Sequence, residues 1–226
     1  MHFRAFSWLT NRLVSNFSKL SELQRPLQPP RSTRNESSIV FDLQAITIMS
    51  GGQTGADRAA LDFAIEHGLR HGGWCPRGRL AEDGPLAARY LLDETSSRLY
   101  SQRTEMNVRD ADATVVFSIG PKTAGGTALT LAVAHRLGKP CLHLCRDVVP
   151  RPAMPAAIAT DDFSAIASRS AAELLAFVAA HQVRRLNVAG PRASQEPQIA
   201  AFVRQVLEAA LRRVDRPPHQ RIDDPS

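Results

Sequence analysis

Short apolar runs alternate with longer stretches of helical periodicity from about residue 45 onward. The apolar runs, rich in β-branched residues, predict strands at 45–49, 71–74, 113–117, 141–145 and 186–190. The stretches between them predict helices at 57–67, 101–109, 127–137, 171–180 and 197–213. Strands that alternate with helices of this length form parallel βαβ units. The pattern therefore predicts an α/β fold, a single doubly wound domain with a mostly parallel sheet of about five strands.

The two ends of the chain lie outside this pattern. Residues 1–44 begin with an amphipathic stretch, apolar on one helical face and basic on the other, and continue into a Pro/Ser-rich linker at 22–37. This segment is predicted to be disordered or a short amphipathic helix. It is either a targeting or membrane-contacting segment or an extension upstream of the true start. Residues 214–226 are polar and Pro-rich, which predicts a disordered tail and leaves 45–213 as the folded domain.

Composition and charge narrow the class of protein. The net charge of +6 comes mainly from residues 1–37, which hold six basic and two acidic side chains, whereas residues 38–211 hold 18 and 17. A domain so close to neutral does not favour nucleic-acid binding. No apolar run in the sequence reaches the roughly 18–20 residues that span a bilayer. Three cysteines do not make a disulfide framework, so a cytoplasmic protein without a transmembrane segment is predicted.

Two glycine-rich turns directly follow predicted strands. The first is Ser50-Gly51-Gly52-Gln53-Thr54-Gly55, whose glycines let backbone N–H groups approach an anion and whose side chains add donors. The second contains Gly125, Gly126 and Thr127. Because parallel strands end at one edge of a sheet, both turns are predicted to converge on a phosphate. The first turn has neither P-loop nor G-x-G-x-x-G spacing, and the alternative is an ordinary tight turn with capping.

Five stretches of the sequence, taken in order, resemble one protein family. They are SGGQTGADRAALDFAIEHG, GGWCPRGRLAEDGPLAARYLLDETSS, YSQRTEMNVRDADATVVF, GGTALTLAVAHRLGKP and LNVAGPRASQ. Together they closely resemble the molybdenum (cofactor) carrier family, a branch of the Rossmann-like nucleotide-binding superfamily that includes the lysine-decarboxylase-like phosphoribohydrolases. The resemblance covers about residues 45–213. It implies a Rossmann-like domain, phosphate binding by Ser50–Gly55, an opposing anion site at Gly125–Thr127, and a homo-oligomer (dimer or tetramer).

One departure from the relatives bears on function. In the hydrolases the second glycine turn is Pro-Gly-Gly-x-Gly-Thr followed by a catalytic Glu, whereas no carboxylate occupies the first helical turns after Gly126 here. That departure removes an acid or base for N-glycosidic cleavage. The resemblance therefore favours a binding or carrier protein for a phosphorylated ligand over an enzyme. Molybdenum cofactor (molybdopterin) is the candidate ligand, and molybdoenzymes are candidate partners.

Two alternatives remain open. The first is a nucleotide-processing, phosphoribohydrolase-like enzyme that uses Asp57, Glu82 or Asp83 as acid or base. The second is a nucleotide-sensing module whose output lies in a partner.

Several further residues are candidate ligand contacts. An exposed Trp74 would stack on a pterin or purine ring, whereas a buried Trp74 would anchor its loop. Cys75 lies beside arginines that would lower its pKa and make it a thiolate. The other candidates are Arg77, Arg103, Asn107, Ser118, Asn187 and Arg192. Cys141, His143 and Cys145 share one face of a strand, but their spacing is too wide for one ion, so packing rather than a metal site is predicted.

Overall fold

The computed structural model describes residues 45–147 and 163–214. In these ranges the elements are β1 (Thr47–Met49), α1 (Ala56–Glu66), β2 (Arg70–Gly72), β3 (Trp74–Cys75), β4 (Leu80–Ala81), β5 (Gly84–Pro85), β6 (Asp93–Glu94), α2 (Tyr100–Asp110), β7 (Ala113–Ser118), α3 (Gly125–Arg136), β8 (Cys141–Cys145), α4 (Phe163–Ala180), β9 (Arg185–Ala189) and α5 (Ile199–Val214). The five predicted helices are confirmed, although α4 begins well before its predicted start at residue 171. The predicted segment 1–44, and all but Val214 of the predicted tail, lie outside the described residues.

Five strands form one parallel sheet in the order β2-β1-β9-β7-β8. Met49 of β1 lies opposite both Gly72 of β2 and Asn187 of β9. All six residues of β7 are buried, as expected of a parallel strand covered on both faces. The predicted doubly wound sheet of about five parallel strands is therefore confirmed.

The strand order shows where the winding of the sheet reverses. The chain goes from β1 outward to β2, crosses to β7 and β8, and returns to place β9 between β1 and β7. If β9 is counted as the first strand, the order becomes 3-2-1-4-5, the arrangement of a doubly wound nucleotide-binding sheet. The last strand of the chain thus occupies the central place, and the reversal falls between β9 and β7.

Helices cover both faces of the sheet. The face that carries Phe117 of β7 packs on α1, α4 and α5, where the ring of Phe202 meets that of Phe117 edge-on at 5.7 Å. Side chains alternate along a strand, so the intervening residues of β7 point to the other face. There α2 and α3 pack against each other, with Val108 of α2 beside Val133 of α3.

Among the described helices, α4 is long and apolar enough to cross a membrane by length and composition. It carries Arg169 and Glu173, and it packs against α5 and β8. Leu174 and Val178 of α4 are buried in the same cluster as the core residues of α5. α4 therefore packs one face against the domain and leaves the other residues exposed or partly exposed.

We call residues 73–98 the cap segment. The sequence predicts an aperiodic loop for 75–98, and the structure adds short pairings, β3 with β6 in parallel and β4 with β5 antiparallel. The guanidinium of Arg79 donates to four backbone carbonyls of this segment, those of Leu86, Ala87, Tyr90 and Leu92. Leu86 and Leu92 lie against Gly52, so the cap segment covers the first glycine turn.

Candidate functional site

The first glycine turn, residues 50–55, is enclosed by its own chain. Gly52 and Gly55 have φ values of 74° and 80°, which favour glycine. A Cβ on Gly55 would lie 2.5 Å from the carbonyl oxygen of Pro191, and a Cβ on Gly51 would collide with the side chain of Arg103. The turn is therefore a close-packed junction between β1, the cap segment and the loop that follows β9.

The polar groups of this turn bond within the chain. The hydroxyl of Ser50 donates to a carbonyl of β9 at 2.8 Å, and the N–H of Gln53 donates to the carboxylate of Asp57 at 3.3 Å. The side-chain oxygen of Gln53 accepts from the N–H of Thr54 at 3.0 Å and from the N–H of Glu82 at 2.9 Å. A phosphate held by these donors would have to displace those bonds.

Arg103, a predicted ligand contact, belongs to the same junction. Its guanidinium lies 2.7 Å from the carboxylate of Asp57, whose side chain is 3% exposed. Pairing offsets the cost of burying either charge alone. In the described ranges, Nε of Arg103, Nε2 of Gln53 and Nε of Arg58 are buried donors without a hydrogen-bond partner. They are the donors of the junction that an added acceptor, such as water, would satisfy.

Two carboxylates at the tip of the β4–β5 hairpin fasten the cap segment. Glu82 accepts hydrogen bonds from the hydroxyls of Ser194 and Thr54, and these bonds hold the pKa of Glu82 below its ordinary value. Asp83 pairs with Arg58, whose guanidinium holds the pKa of Asp83 below its ordinary value. The hairpin is thereby tied to the start of α1 and to the loop after β9.

The second glycine turn is open, unlike the first. α3 begins at Gly125, after Ala124, which is extended and provides no side-chain cap. The N–H groups of Gly125, Gly126 and Thr127 lie in the first turn of the helix, where no helical carbonyl can accept them. Gly125 and Gly126 are exposed, and a Cβ on Gly126 would meet nothing within 4 Å. The start of α3 is an uncapped helix N-terminus, which favours an anion.

A pocket of about 170 Å³ lies at this helix N-terminus. Its walls come from the loop after β7, the start of α3 and the loop after β9, and they consist of Ser118, Lys122, Thr123, Ala124, Thr127, Pro191, Gln195 and Glu196. The sheet reverses between β7 and β9, and ligands of open α/β sheets bind at that position. Of the predicted site residues, Thr127 and Ser118 line the pocket.

The pocket has groups of both charges. Lys122 and the start of α3 provide positive charge, and Glu196 provides a carboxylate whose Oε2 accepts the N–H of Ile119 at 2.7 Å. Ser118 lies 2.8 Å from Nε2 of His143, and burial lowers the pKa of His143, which favours the neutral imidazole. The pocket can therefore accommodate an anion and a hydrogen-bond donor side by side.

Two of the predicted contacts hold the cap segment in place. The indole N–H of Trp74, which is partly buried, donates to Asp110 at 2.8 Å. Asn107 is buried; it accepts the backbone N–H of Trp74 at 2.8 Å and donates to the carbonyl of Trp74 at 2.9 Å. These are the contacts of an anchor for β3 on α2.

The prediction of a reactive thiolate at Cys75 is wrong. Cys75 is completely buried, and burial raises the pKa of its thiol. The nearby Arg79 acts in the opposite direction but is outweighed by the burial. Cys141 is affected in the same way, since burial raises the pKa of its thiol to about 11. Within the described ranges, no three His, Cys, Asp or Glu side chains are grouped to hold a metal ion.

Three other predicted contacts are not among the pocket walls. Arg77 is exposed on the cap segment. Asn187 is buried in β9 and donates to the hydroxyl of Thr114 at 3.2 Å. The guanidinium of Arg192 lies over the ring of Tyr100, 4.9 Å from its centroid. Arg192 and Tyr100 thus form a pair at the start of α2.

Six pocket residues were not predicted from the sequence: Lys122, Thr123, Ala124, Pro191, Gln195 and Glu196. They lie in the short loops that follow β7 and β9. Those loops meet only because β9 pairs with β7. Hydrophobic periodicity predicts where strands lie in the chain but not their order in the sheet. The pattern of a doubly wound sheet indicates in general that ligands bind at the strand ends beside the reversal, but it does not say which loops meet there.

The parallel sheet, its reversal between β9 and β7, and the uncapped helix N-terminus at that point define a Rossmann-like domain with a crevice at the ends of its strands. Residues 48–211 match the model of the circularly permutated YpsA SLOG family, and the chain belongs to this family. The permutation agrees with the sheet, in which the last strand of the chain takes the central place of a first strand.

One solved structure sharpens the comparison. The chain is similar to the crystal structure of the "Putative molybdenum carrier protein" from Syntrophus aciditrophicus SB, with 42% sequence identity and a TM-score of 0.64. The match covers 74% of this chain and 96% of that one. It confirms the resemblance and the Rossmann-like fold predicted from the motifs, and it supports a carrier or binding role at the level of the family. No curated protein matches the chain.

Proposed function

We propose that this chain is a binding or carrier protein for a small phosphorylated ligand, and that the phosphate binds in the pocket between β7 and β9. The observation that carries the proposal is the uncapped start of α3 at the reversal of the sheet. Successive N–H groups at a helix N-terminus and the positive end of the helix dipole favour an anion there. An anionic group of the ligand would pair with those donors.

The side chains around the start of α3 add to the groups that can hold a phosphate. The hydroxyl groups of Thr123 and Thr127 add donors to the backbone N–H groups, and Lys122 adds a positive charge. A phosphate monoester offers three oxygens to such a set of donors. The pocket therefore matches a phosphate group with the remainder of the ligand extending from it.

In this proposal the first glycine turn positions the pocket. Gly55 packs against the backbone of residues 191–193, which leads directly into the wall formed by Gln195 and Glu196. Glu82 fastens the same loop through Ser194. The enclosed junction fixes one wall of the pocket, and the open turn binds the phosphate.

The three carboxylates considered as acid or base have other partners, which favours binding over an enzyme that would use those residues. Asp57 is paired with Arg103, Asp83 with Arg58, and Glu82 accepts from two hydroxyls. The name of the relative from Syntrophus makes molybdenum cofactor, a phosphorylated pterin, the first ligand to test. Nucleoside monophosphates are the second class of ligand to test, and their binding would also be expected of a nucleotide-sensing module.

The test is calorimetric titration of the full chain with inorganic phosphate, AMP, GMP and molybdenum cofactor released from a molybdoenzyme. Thr127→Val removes a hydroxyl from the pocket at nearly unchanged shape, and we expect it to weaken binding about tenfold. Thr130→Val is the matched control, because Thr130 is one turn further along α3, equally buried at 4% exposure, and bonds within the helix to the carbonyl of Gly126. Equal effects of the two variants, or no binding of any of the four ligands, would contradict the proposal.

A further inference from the structure

The phosphate pocket has an acidic residue in its wall. Glu196 lies in the loop after β9 and shares the pocket with Lys122 and the start of α3. We infer that Glu196 selects phosphorylated ligands that carry hydroxyl groups close to the phosphate, by accepting hydrogen bonds from those hydroxyls. This inference rests on the proposed function, since it takes the phosphate to bind at the start of α3.

The carboxylate of Glu196 is held in one position. The backbone N–H of Glu196 donates to the carbonyl of Arg192 at 2.9 Å, and the carbonyl of Glu196 accepts from the N–H of Ile199 at 3.0 Å. Its Oε2 accepts the N–H of Ile119 at 2.7 Å, which joins the loop after β9 to the loop after β7. A carboxylate with one oxygen fixed in this way still offers lone pairs to a ligand.

The charge of Glu196 is not needed for its contact with the protein. The ion pairs in the described part of the chain are made by other carboxylates. A neutral glutamine would accept the N–H of Ile119 equally well, and it would not repel a phosphate in the same pocket. Within the described ranges, Glu196 has no cationic partner, yet it lies beside a site for an anion. A ligand that carries hydrogen-bond donors next to its phosphate would give this carboxylate a partner.

The size of the pocket decides which donors can reach Glu196. A sphere of the pocket volume is on the order of 7 Å across, so the start of α3 and the carboxylate face the same small space. A hydroxyl on the sugar of a sugar phosphate lies within that reach, whereas the N–H groups of a base lie beyond the sugar. The chemical class indicated is a phosphorylated sugar or polyol, including the sugar phosphate portion of a larger molecule.

The experiment compares three phosphates by calorimetric titration of the full chain: inorganic phosphate, ribose 5-phosphate and n-butyl phosphate, an ester without hydroxyls. We expect the unchanged protein to bind ribose 5-phosphate about tenfold more tightly than butyl phosphate. In Glu196→Gln this ratio is expected to fall close to one, because the charged acceptor is lost. Inorganic phosphate should bind to the variant at least as well as before, because a repulsive charge is removed.

The loss of preference for ribose 5-phosphate, together with unchanged or tighter binding of inorganic phosphate, separates ligand selection from a purely structural role. Damage to the pocket wall would instead weaken the binding of all three phosphates. Glu173→Gln, on the exposed side of α4, is the matched control and should change nothing. A ratio unchanged in Glu196→Gln, or a parallel loss for all three, overturns the inference. If the unchanged protein binds inorganic phosphate without preferring ribose 5-phosphate, the inference fails and the proposed function stands. If it binds none of the three, the inference fails, and the titrations with AMP, GMP and molybdenum cofactor decide whether the proposed function fails with it.

Discussion

The turns at residues 50–55 and 124–127 both join a parallel strand to a helix, but their glycines meet opposite surroundings. Around Gly52 and Gly55 there is no room for a Cβ, because the cap segment and the loop after β9 press against them. Around Gly126 the same addition meets open space. Glycine in the first turn therefore serves close packing of the chain on itself, and glycine in the second keeps a helix N-terminus accessible. The first turn has more glycines than the second, but the second turn is the more open of the two.

The sharpest test of this contrast is a stability comparison of Gly55→Ala with Gly126→Ala. Gly55 combines a φ of 80° with contacts that a Cβ would make at 2.5–2.8 Å to backbone atoms of residues 191–193. Strain and overpacking together should cost about 4 kcal/mol of unfolding free energy. Gly126→Ala should be neutral or stabilise by up to about 1 kcal/mol, since alanine is the better helix former. Urea denaturation of both variants measures this, and similar losses would remove the distinction between the turns.

The buried ion pair beneath the first turn should give the next largest effect. Asp57→Asn leaves the guanidinium of Arg103 without its carboxylate in a site where Asp57 is 3% exposed. We expect a loss of about 2–3 kcal/mol of unfolding free energy. Asp93→Asn, an exposed position on β6, serves as the control and should cost less than about 0.5 kcal/mol. Equal losses at the two positions in urea denaturation would show that the pair does not stabilise the junction.

A smaller effect is expected at the open turn. Lys122→Met removes the positive charge from the wall of the pocket. Affinity for inorganic phosphate should fall about threefold, and its dependence on salt should become weaker. Arg98→Met removes an exposed charge from the cap segment and should leave both unchanged. Titrations at two salt concentrations measure the difference, and a loss shared by both variants would indicate a general effect of net charge.

The smallest effect concerns the fastening of the cap segment by Glu82. Its pKa in the folded protein lies below the ordinary value of 4.5, so the folded state binds fewer protons than the unfolded state in that range. The stabilisation is fully present above pH 4.5 and is lost as the pH falls through the folded pKa. Glu82→Gln should therefore be slightly less stable than the unchanged protein at pH 7, and the difference should shrink on acidification. Denaturation curves at pH 7 and near pH 4 test this, and a difference that grows on acidification would contradict it.

The sheet could be predicted because a parallel strand that is buried on both faces has a recognisable sequence, a short run of apolar or β-branched residues. The six residues of β7 are all buried, and the run at 113–117 is apolar or β-branched throughout. The place of β9 was not predictable in the same way. β9 is a short strand that includes Arg185 and Asn187, and nothing in its sequence marks it as the strand that pairs with both β1 and β7.

The candidate site was predictable only in part for the same reason. Gly125, Gly126 and Thr127 follow β7 in the chain, and their position before a helix could be seen from the sequence alone. The carboxylate of Glu196 reaches the pocket from a loop about seventy residues further on, through its bond to the N–H of Ile119. The pKa of Cys75 also escaped prediction, because arginines nearby in sequence suggest a lowered pKa while burial raises it.

The central place of β9 also constrains how the protein is made. The hydroxyl of Ser50 finds its acceptor 138 residues later, so contacts of very long sequence separation must form before the sheet closes. During synthesis β9 leaves the ribosome after the other four strands of the sheet, and until then β1 and β7 each lack the neighbour that pairs with one of their edges. Protection of those two edges therefore depends on the last strand of the chain.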